Sequence, residues 1–250
     1  AREMANQALY TEIKRVYTES HRTYGSPRIY QALQKEGVAC SENRVARLMR
    51  AHDLQAEPQA PYHSTTQRNA TDPVAPNSLA RNFTAERPDE KWLTDITYIP
   101  TAEGWLYLAV VLDLYSRRII GWAMAARMTG DLTLRALRMA LQARQPKLAL
   151  LHHSDQGSQY TAGDYQQLLA DWDIQVSMNG VGSWYDNAPM ESFFGTLKQE
   201  WVHPRTLHSH EEARTEIFYY IEGFYNQRRL HSALDYCSPA EYEQRYYQEQ

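Results

Sequence analysis

The sequence predicts a mixed α/β domain flanked by helical segments. Three β-rich runs follow one another from residue 91 with only short turns between them, and strand and helix patterns then alternate to residue 178. Strands first in a meander and then interleaved with helices make a mixed sheet rather than a doubly wound parallel one. The 250 residues leave room for a smaller module beside that domain, and 43% apolar content supports a sizeable core.

Taken in order, "NQALYTEIKRVYTE" carries Leu9, Ile13 and Val16 at helical spacing, and "SPRIYQALQKEG" carries Ile29 and Leu33 before closing on Gly37. Ser41 is placed to cap a third helix, "ENRVARLMRAHDL", with Val45, Leu48 and Met49 facing inward and Arg44, Arg47 and Arg50 on other sides. Residues 1–50 hold nine Lys and Arg against five acids, whereas the whole chain has a formal net charge of -4. The positive end is therefore local, and it suits a polyanion. An Arg-bearing last helix after a Gly turn fits a helix-turn-helix-like, DNA-binding module over 1–55, with Arg44, Arg47 and Arg50 toward DNA. A plain helical hairpin with solvated arginines fits the same periodicity. Residues 55–89 contain five prolines and little periodicity, which predicts a linker over 56–88.

A catalytic core is expected over 89–205. "KWLTDITYIP", "GWLYLAVVLDLYS" and "RRIIGWAMAA" read as three antiparallel strands. "TGDLTLRALRMALQAR" reads as a helix with Leu132, Ala136, Met139 and Ala140 inward, and "LALLHHSD" as a buried strand. "TAGDYQQLLADW" opens a helix with Thr161 and Asp164 at capping-box spacing, and "IQVSM" is a fifth strand. The loop "NGVGSWYDNAP" leads into "MESFFGTLKQEWV", where Met190, Phe194, Leu197 and Trp201 form an apolar stripe while Glu191 and Lys198 share another face. Beyond it "EEARTEIFYYIEGFYNQRRLHSAL" reads as one long amphipathic helix with a basic end, within a C-terminal helical extension over 206–250.

Several classes fall away. No apolar run approaches the roughly 20 residues of a membrane span. The opening "AREMANQALY" lacks the basic-then-apolar pattern of a signal peptide. Cys40 and Cys237 are far apart in sequence and support neither a disulfide framework nor a cysteine zinc site. A cytoplasmic protein without a membrane partner is expected.

Three acids stand out. Asp95 lies in the first strand, Asp155 at the end of the fourth, and Glu191 in the first turn of the helix after the glycine loop. If strands one and four are neighbours, all three meet at one edge of the sheet. Hard divalent cations take oxygen ligands, so such a trio on rigid elements suits a two-metal platform for phosphoryl transfer. Singly, each acid has a blander reading: a turn residue before Gly157, a strand-edge charge, a favourable charge at a helix N-terminus. His152 and His153 are adjacent on a strand, point to opposite faces, and cannot both join Asp155 on one ion. Asp113 ends an apolar run before a turn and reads as structural.

The segments "WLTDITYI", "HSDQGSQY" and "DNAPMESFFGTLKQE", with 35 residues between Asp155 and Glu191, together resemble the DDE transposase and retroviral integrase superfamily. Their spacing and flanking words look specifically like the OrfB-type, second-reading-frame transposases of the insertion-sequence-three family. "YGSPRIYQAL", "RVARLMR", "YNQRRLHSAL" and "SPAEY" extend the resemblance over nearly the whole chain. It implies a ribonuclease H-like fold with an integrase catalytic core, and Asp95, Asp155 and Glu191 as the catalytic and metal-binding triad. It further implies two Mg2+ ions, with Mn2+ as a substitute, and Lys198 as a contact near the DNA end. The implied substrate is double-stranded DNA, both element ends and target, and the implied assembly is a homo-oligomer, at least a dimer on DNA. The implied reaction is metal-dependent strand cleavage followed by strand transfer.

Two alternatives are weighed beside it. A retroviral-type integrase needs paired His and paired Cys in its N-terminal zinc module, where the first 60 residues here offer His21, His52 and Cys40. A catalytically silent, transposase-derived DNA-binding regulator has no need of three carboxylates. The family's fused product carries an upstream helix-turn-helix and leucine zipper that are not among these residues, so end recognition and dimerisation are expected to be incomplete.

Overall fold

The computed structural model describes residues 2–56, 74–180 and 184–250. The chain divides into two compact units, one of Ala1–Gln59 with Arg229–Cys237 and one of Ala60–Arg228 with Ser238–Gln250. Most of the expected linker, residues 57–73, and the glycine-loop residues 181–183 lie outside the described residues.

In the first unit α1 (Arg2–Glu19), α2 (Ser26–Lys35) and α3 (Glu42–Ala51) pack around Leu9, Ile13, Val16, Ile29, Leu33, Val45, Leu48 and Met49. These are the positions that a 3.6-residue period directs inward. Pro27 opens α2, and Gly37, at a φ of +77°, follows its end. The Ser41 hydroxyl accepts the Arg44 amide at 3.4 Å and starts α3 as the sequence predicts. Residues 229–237 complete this unit. The Leu230 amide donates to the Tyr24 hydroxyl at 2.8 Å, and Arg229 is buried.

The second unit is built on a five-stranded sheet of order β3-β2-β1-β4-β5, with β1 Lys91–Thr101, β2 Gly104–Asp113, β3 Ile119–Ala125, β4 Leu151–Ser154 and β5 Gln175–Met178. The first three strands form the expected antiparallel meander, and β4 and β5 add in parallel. Helices α4 (Gly130–Arg144), α5 (Ser158–Thr161) and α6 (Gly163–Asp171) contribute to a core with Trp92, Ile96, Ala109, Val111, Tyr160 and Tyr165. Gly121 lets α4 approach β3 closely, since a Cβ there would stand 2.3 Å from the Ala136 carbonyl oxygen.

Beyond β5, α7 (Ala188–Leu197) packs against β1 and continues into a wider π turn, Lys198–Val202. Helix α8 (His210–Phe218) does the same over Tyr219–Tyr225. The two wide turns meet through Trp201, whose ring lies near Tyr219, Tyr220 and Phe224 while its Nε1 donates to Glu216 at 2.9 Å. The chain ends in α9 (Pro239–Gln248), opened by a capping box between Ser238 and Glu241.

Three expectations are corrected. Met139 is exposed rather than inward, because Leu137 and Leu141 occupy the face of α4 that meets the sheet. Thr161 does not cap α6; it ends the short α5, and its hydroxyl turns back to the Ser158 carbonyl. The long helix over 211–234 stops at the Tyr219–Tyr225 turn. Buried Asn226 is drawn off to β3, where its amide pairs with both the N–H and the C=O of Ile119 at 2.9 Å. Among the described residues, no helix is long and apolar enough to cross a membrane.

Candidate functional site

Asp95 sits mid-strand on β1, 8% exposed, with its Oδ1 accepting the Ile96 amide at 2.7 Å. Parallel pairing of β4 with β1 runs Lys91 to Leu151, Trp92 to His152 and Leu93 to His153. The paired strand β4 ends at Ser154, so Asp155 follows directly after it, on the strand that neighbours that of Asp95. The turn reading of Asp155 holds as well, since its Oδ1 accepts the Gly157 amide at 2.9 Å.

Glu191 lies in the first turn of α7, and the start of that helix is fastened to the strand. Buried Asn187 donates from Nδ2 to the carbonyl of Thr94, the residue before Asp95, at 3.2 Å. Its Oδ1 is buried and has no hydrogen-bond partner among the described residues. Next to it the buried Asp186 carboxylate accepts Asn77 Nδ2 at 2.9 Å, Arg81 Nε at 2.8 Å and the Gly180 amide at 3.2 Å. Neither residue is singled out by the sequence reading. The "DN" before "APMES" signals a helix start, but a bond from Asn187 across 93 positions leaves no local trace.

Electrostatics tie the acids together. Burial pushes the Asp95 carboxyl well above the usual carboxylate range; the charges of Asp155 and then Glu191 push it the same way, and Lys198 pulls it back. Burial also raises Glu191. It lowers the Lys198 ammonium, against the opposing pull of Asp95. Lys198 opens the π turn after α7, and its ammonium stands 4.4 Å from the centre of the Tyr98 ring. The acids share this neighbourhood without closing on one point: among the described residues, no three His, Cys, Asp or Glu side chains are gathered tightly enough to hold an ion as they stand. Like charges at short range repel.

The other residues of interest lie elsewhere or serve the frame. Arg47 and Arg50 are exposed on α3, in the first unit. Arg44 is half-buried and donates from Nε to Asn6 Oδ1 at 3.1 Å, bracing α3 against α1. His152 and His153 are both fully buried. His152 pairs with the Tyr165 hydroxyl at 3.0 Å, and burial lowers it to about 3. His153 is held between Ser177 Oγ at 2.8 Å and Asn179 Oδ1 at 2.6 Å. Asp113 accepts the amides of Asp89 at 2.7 Å and Ser116 at 3.0 Å, a structural role.

Models of the integrase core domain match residues 85–183 and 191–246, and a model of an HTH-like domain matches residues 4–62. The chain is 41% identical over 247 residues to the "Insertion element IS600 uncharacterized 31 kDa protein" of Shigella sonnei, covering 99% of this chain and 91% of that one. It is 40% identical over 241 residues to the transposase for insertion sequence element IS904 of Lactococcus lactis, covering 96% and 95%. With transposase InsF for insertion sequence IS3A of Escherichia coli it shares 41% identity over 227 residues, 91% of this chain and 79% of the other. Among solved structures, a chain of the simian T-cell lymphotropic virus intasome is similar at a TM-score of 0.52 and 13% identity, covering 92% of this chain and 74% of that one. That likeness concerns the fold alone, and agrees with a ribonuclease H-like, integrase-type sheet. With its integrase core, its HTH-like N-terminal domain and about 40% identity to these relatives over nine-tenths or more of its length, the chain belongs to the insertion-sequence-three family of transposases.

Proposed function

We propose that the chain cuts DNA at the ends of its element and joins those ends to a second strand, using divalent metal held by Asp95, Asp155 and Glu191. The observation that carries this reading is the shared electrostatic neighbourhood of three acids delivered by β1, the end of β4 and α7. The donor set fits the metal. It is all oxygen, as Mg2+ or Mn2+ prefers, and a cation among the acids would favour the ionised form of Asp95 that burial and repulsion oppose. Two bound ions would activate the attacking oxygen and stabilise charge on the leaving 3'-oxygen.

The chain's own groups set the geometry. The Ile96 amide fixes Asp95, the Gly157 amide fixes Asp155, and Asn187 ties the helix of Glu191 to the strand of Asp95. Lys198 puts a positive charge beside Asp95, where a DNA phosphate would lie. Water is the first nucleophile and the freed 3'-hydroxyl the second, so no side chain need become covalently attached. Tyr160 feels the charges of Asp95 and Asp155, but it is wholly buried and its hydroxyl is pushed well up, which makes it a poor nucleophile.

In this reading residues 1–55 bind DNA through Arg47 and Arg50, with Arg44 as their brace. Residues 56–88 link, 89–205 catalyse, and 206–250 form a helical extension. The working form is a homo-oligomer on DNA in a bacterial cytoplasm.

The test is a strand-transfer assay with the element's own ends. Cleaved and joined products are expected in Mg2+ or Mn2+, and their loss in chelator or in Asp95→Asn. Binding without nicking under every metal condition would favour the silent regulator.

A further inference from the structure

We propose that Trp105 and Tyr98, together with Lys198, form a stacking platform for a nucleobase close to the cut DNA end. The proposal rests on the reading of this site as one that cuts and joins DNA. Trp105 lies near the start of β2 and is 51% exposed. Its ring meets that of Tyr98 nearly at right angles, with centroids 4.7 Å apart. Tyr98 in turn lies 4.4 Å from the Lys198 ammonium, and Lys198 acts on Asp95. A short relay of neighbours therefore runs from an open indole to the triad. Trp105 pairs with Pro100, five residues along β1 from Asp95, so the indole lies roughly 17 Å along the strand from that carboxylate, or about five base steps of roughly 3.4 Å from a phosphate held there.

The indole is held on a rigid mount. At the turn between β1 and β2, the Ala102 amide donates to the Leu207 carbonyl at 2.9 Å, and the Glu103 carboxylate accepts the His210 amide at 2.7 Å. The Tyr98 contact orients the ring while half its surface stays open. Leaving so much aromatic surface in water forgoes burial free energy, which a stacked ligand would restore. A base fits better than an apolar protein face. Beyond Tyr98 stands a lysine, whose charge would be costly to bury against apolar surface and is well matched to a nucleotide's phosphate. An aromatic face for the base and a cation for the backbone are the pairing by which unpaired strands are bound. The ligand class is thus an unstacked nucleotide, taken with little regard to base identity.

The experiment uses the full chain and element ends carrying an abasic site at each position of either strand from the terminus to roughly eight nucleotides in, which brackets the distance set by the strand register. With intact ends, Trp105→Ala should lower joining about tenfold and Trp105→Phe should retain most of it, as expected for loss and partial retention of one stacking contact. At one position the abasic end should slow the wild type by a similar factor and leave Trp105→Ala no slower than before. Equal joining by wild type and Trp105→Ala, or equal abasic losses in both, would overturn the platform. A 2-aminopurine at that position reads stacking without chemistry. Its fluorescence should differ between the wild-type and Trp105→Ala complexes, and identical signals would again overturn the proposal. A wild type that stacks the probe but never cuts would instead refute the reading of the site as catalytic. A change of oligomeric state in Trp105→Ala would assign the surface to a second copy of the chain, and so against DNA.

Discussion

Glu191 is the acid whose bland reading, as a helix-start charge, competes hardest with a role in chemistry. Gln keeps its size and much of its hydrogen bonding but removes the charge that holds a hard cation. Glu191→Gln is therefore expected to abolish cleavage and joining in Mg2+ while binding of ends persists, slightly tightened because a negative charge near phosphate is gone. Gel assays of joining and of mobility shift check the two halves separately; a variant that joins at the wild-type rate removes the triad. The proposed triad of Asp95, Asp155 and Glu191 stands out in the sequence because each acid sits in a recognisable word. Asn187 is not, although it ties the strand of Asp95 to the helix of Glu191. Asn187→Ala is expected to cut joining at least tenfold and cost about 1 kcal/mol of stability, the usual worth of one hydrogen bond. Asn187→Asp, which lacks the donor, should behave no better. Melting curves beside joining rates check this, and full activity in Asn187→Ala would remove the positioning role.

At the scale of elements, strands and helix starts follow from period and caps, and the sequence places them within a few residues. The two π turns are a different matter. A turn with i→i+5 bonding carries an extra residue and is stabilised by what packs on it. Here that is the aromatic cluster about Trp201, assembled from segments far apart in sequence, so the local pattern of "FYYIEGFYNQRRL" still reads as continuous helix. Helix α3 divides its arginines in a way that periodicity does not separate, since Arg44 is spent on Asn6 whereas Arg47 and Arg50 face solvent. Replacing Arg47 and Arg50 together by Ala should weaken end binding and reduce the slope of log affinity against log salt by about two, near one per phosphate contact. Titrations at several salt concentrations check it, and an unchanged slope assigns these arginines to solvent.

At the scale of the whole molecule, a buried ionic network joins distant segments of the second unit. Arg144 pairs with Asp89 at 2.8 Å and with Glu243, lies 3.8 Å from Asp113, and Glu243 also takes Arg118 at 2.6 Å. Burial raises the Asp113 carboxyl to about 6, from an ordinary value near 4. The folded chain thus holds this proton more tightly than the unfolded one. The resulting stability is fully present below about pH 4 and is lost as pH rises through about 6, a change of up to about 3 kcal/mol. The wild type should therefore lose stability relative to Asp113→Asn over that range. Denaturation of both proteins at pH 4, 5, 6 and 7 measures the difference, and a constant difference refutes the shift. The contact of Leu230 with Tyr24 spans 206 positions and is as silent in the sequence as Asn187, for the same reason.

That contact also has a consequence in time. Chains are made from the N-terminus at roughly 5–20 residues per second, and residues 60–228 must all be polymerised before Arg229–Cys237 exist to complete the first unit. For on the order of 10–30 s the three N-terminal helices wait on the ribosome without their last segment. The DNA-binding unit proposed here is thus begun before the sheet and finished after it, and a nascent chain cannot complete it until the residues that carry Asp95, Asp155 and Glu191 have already been made.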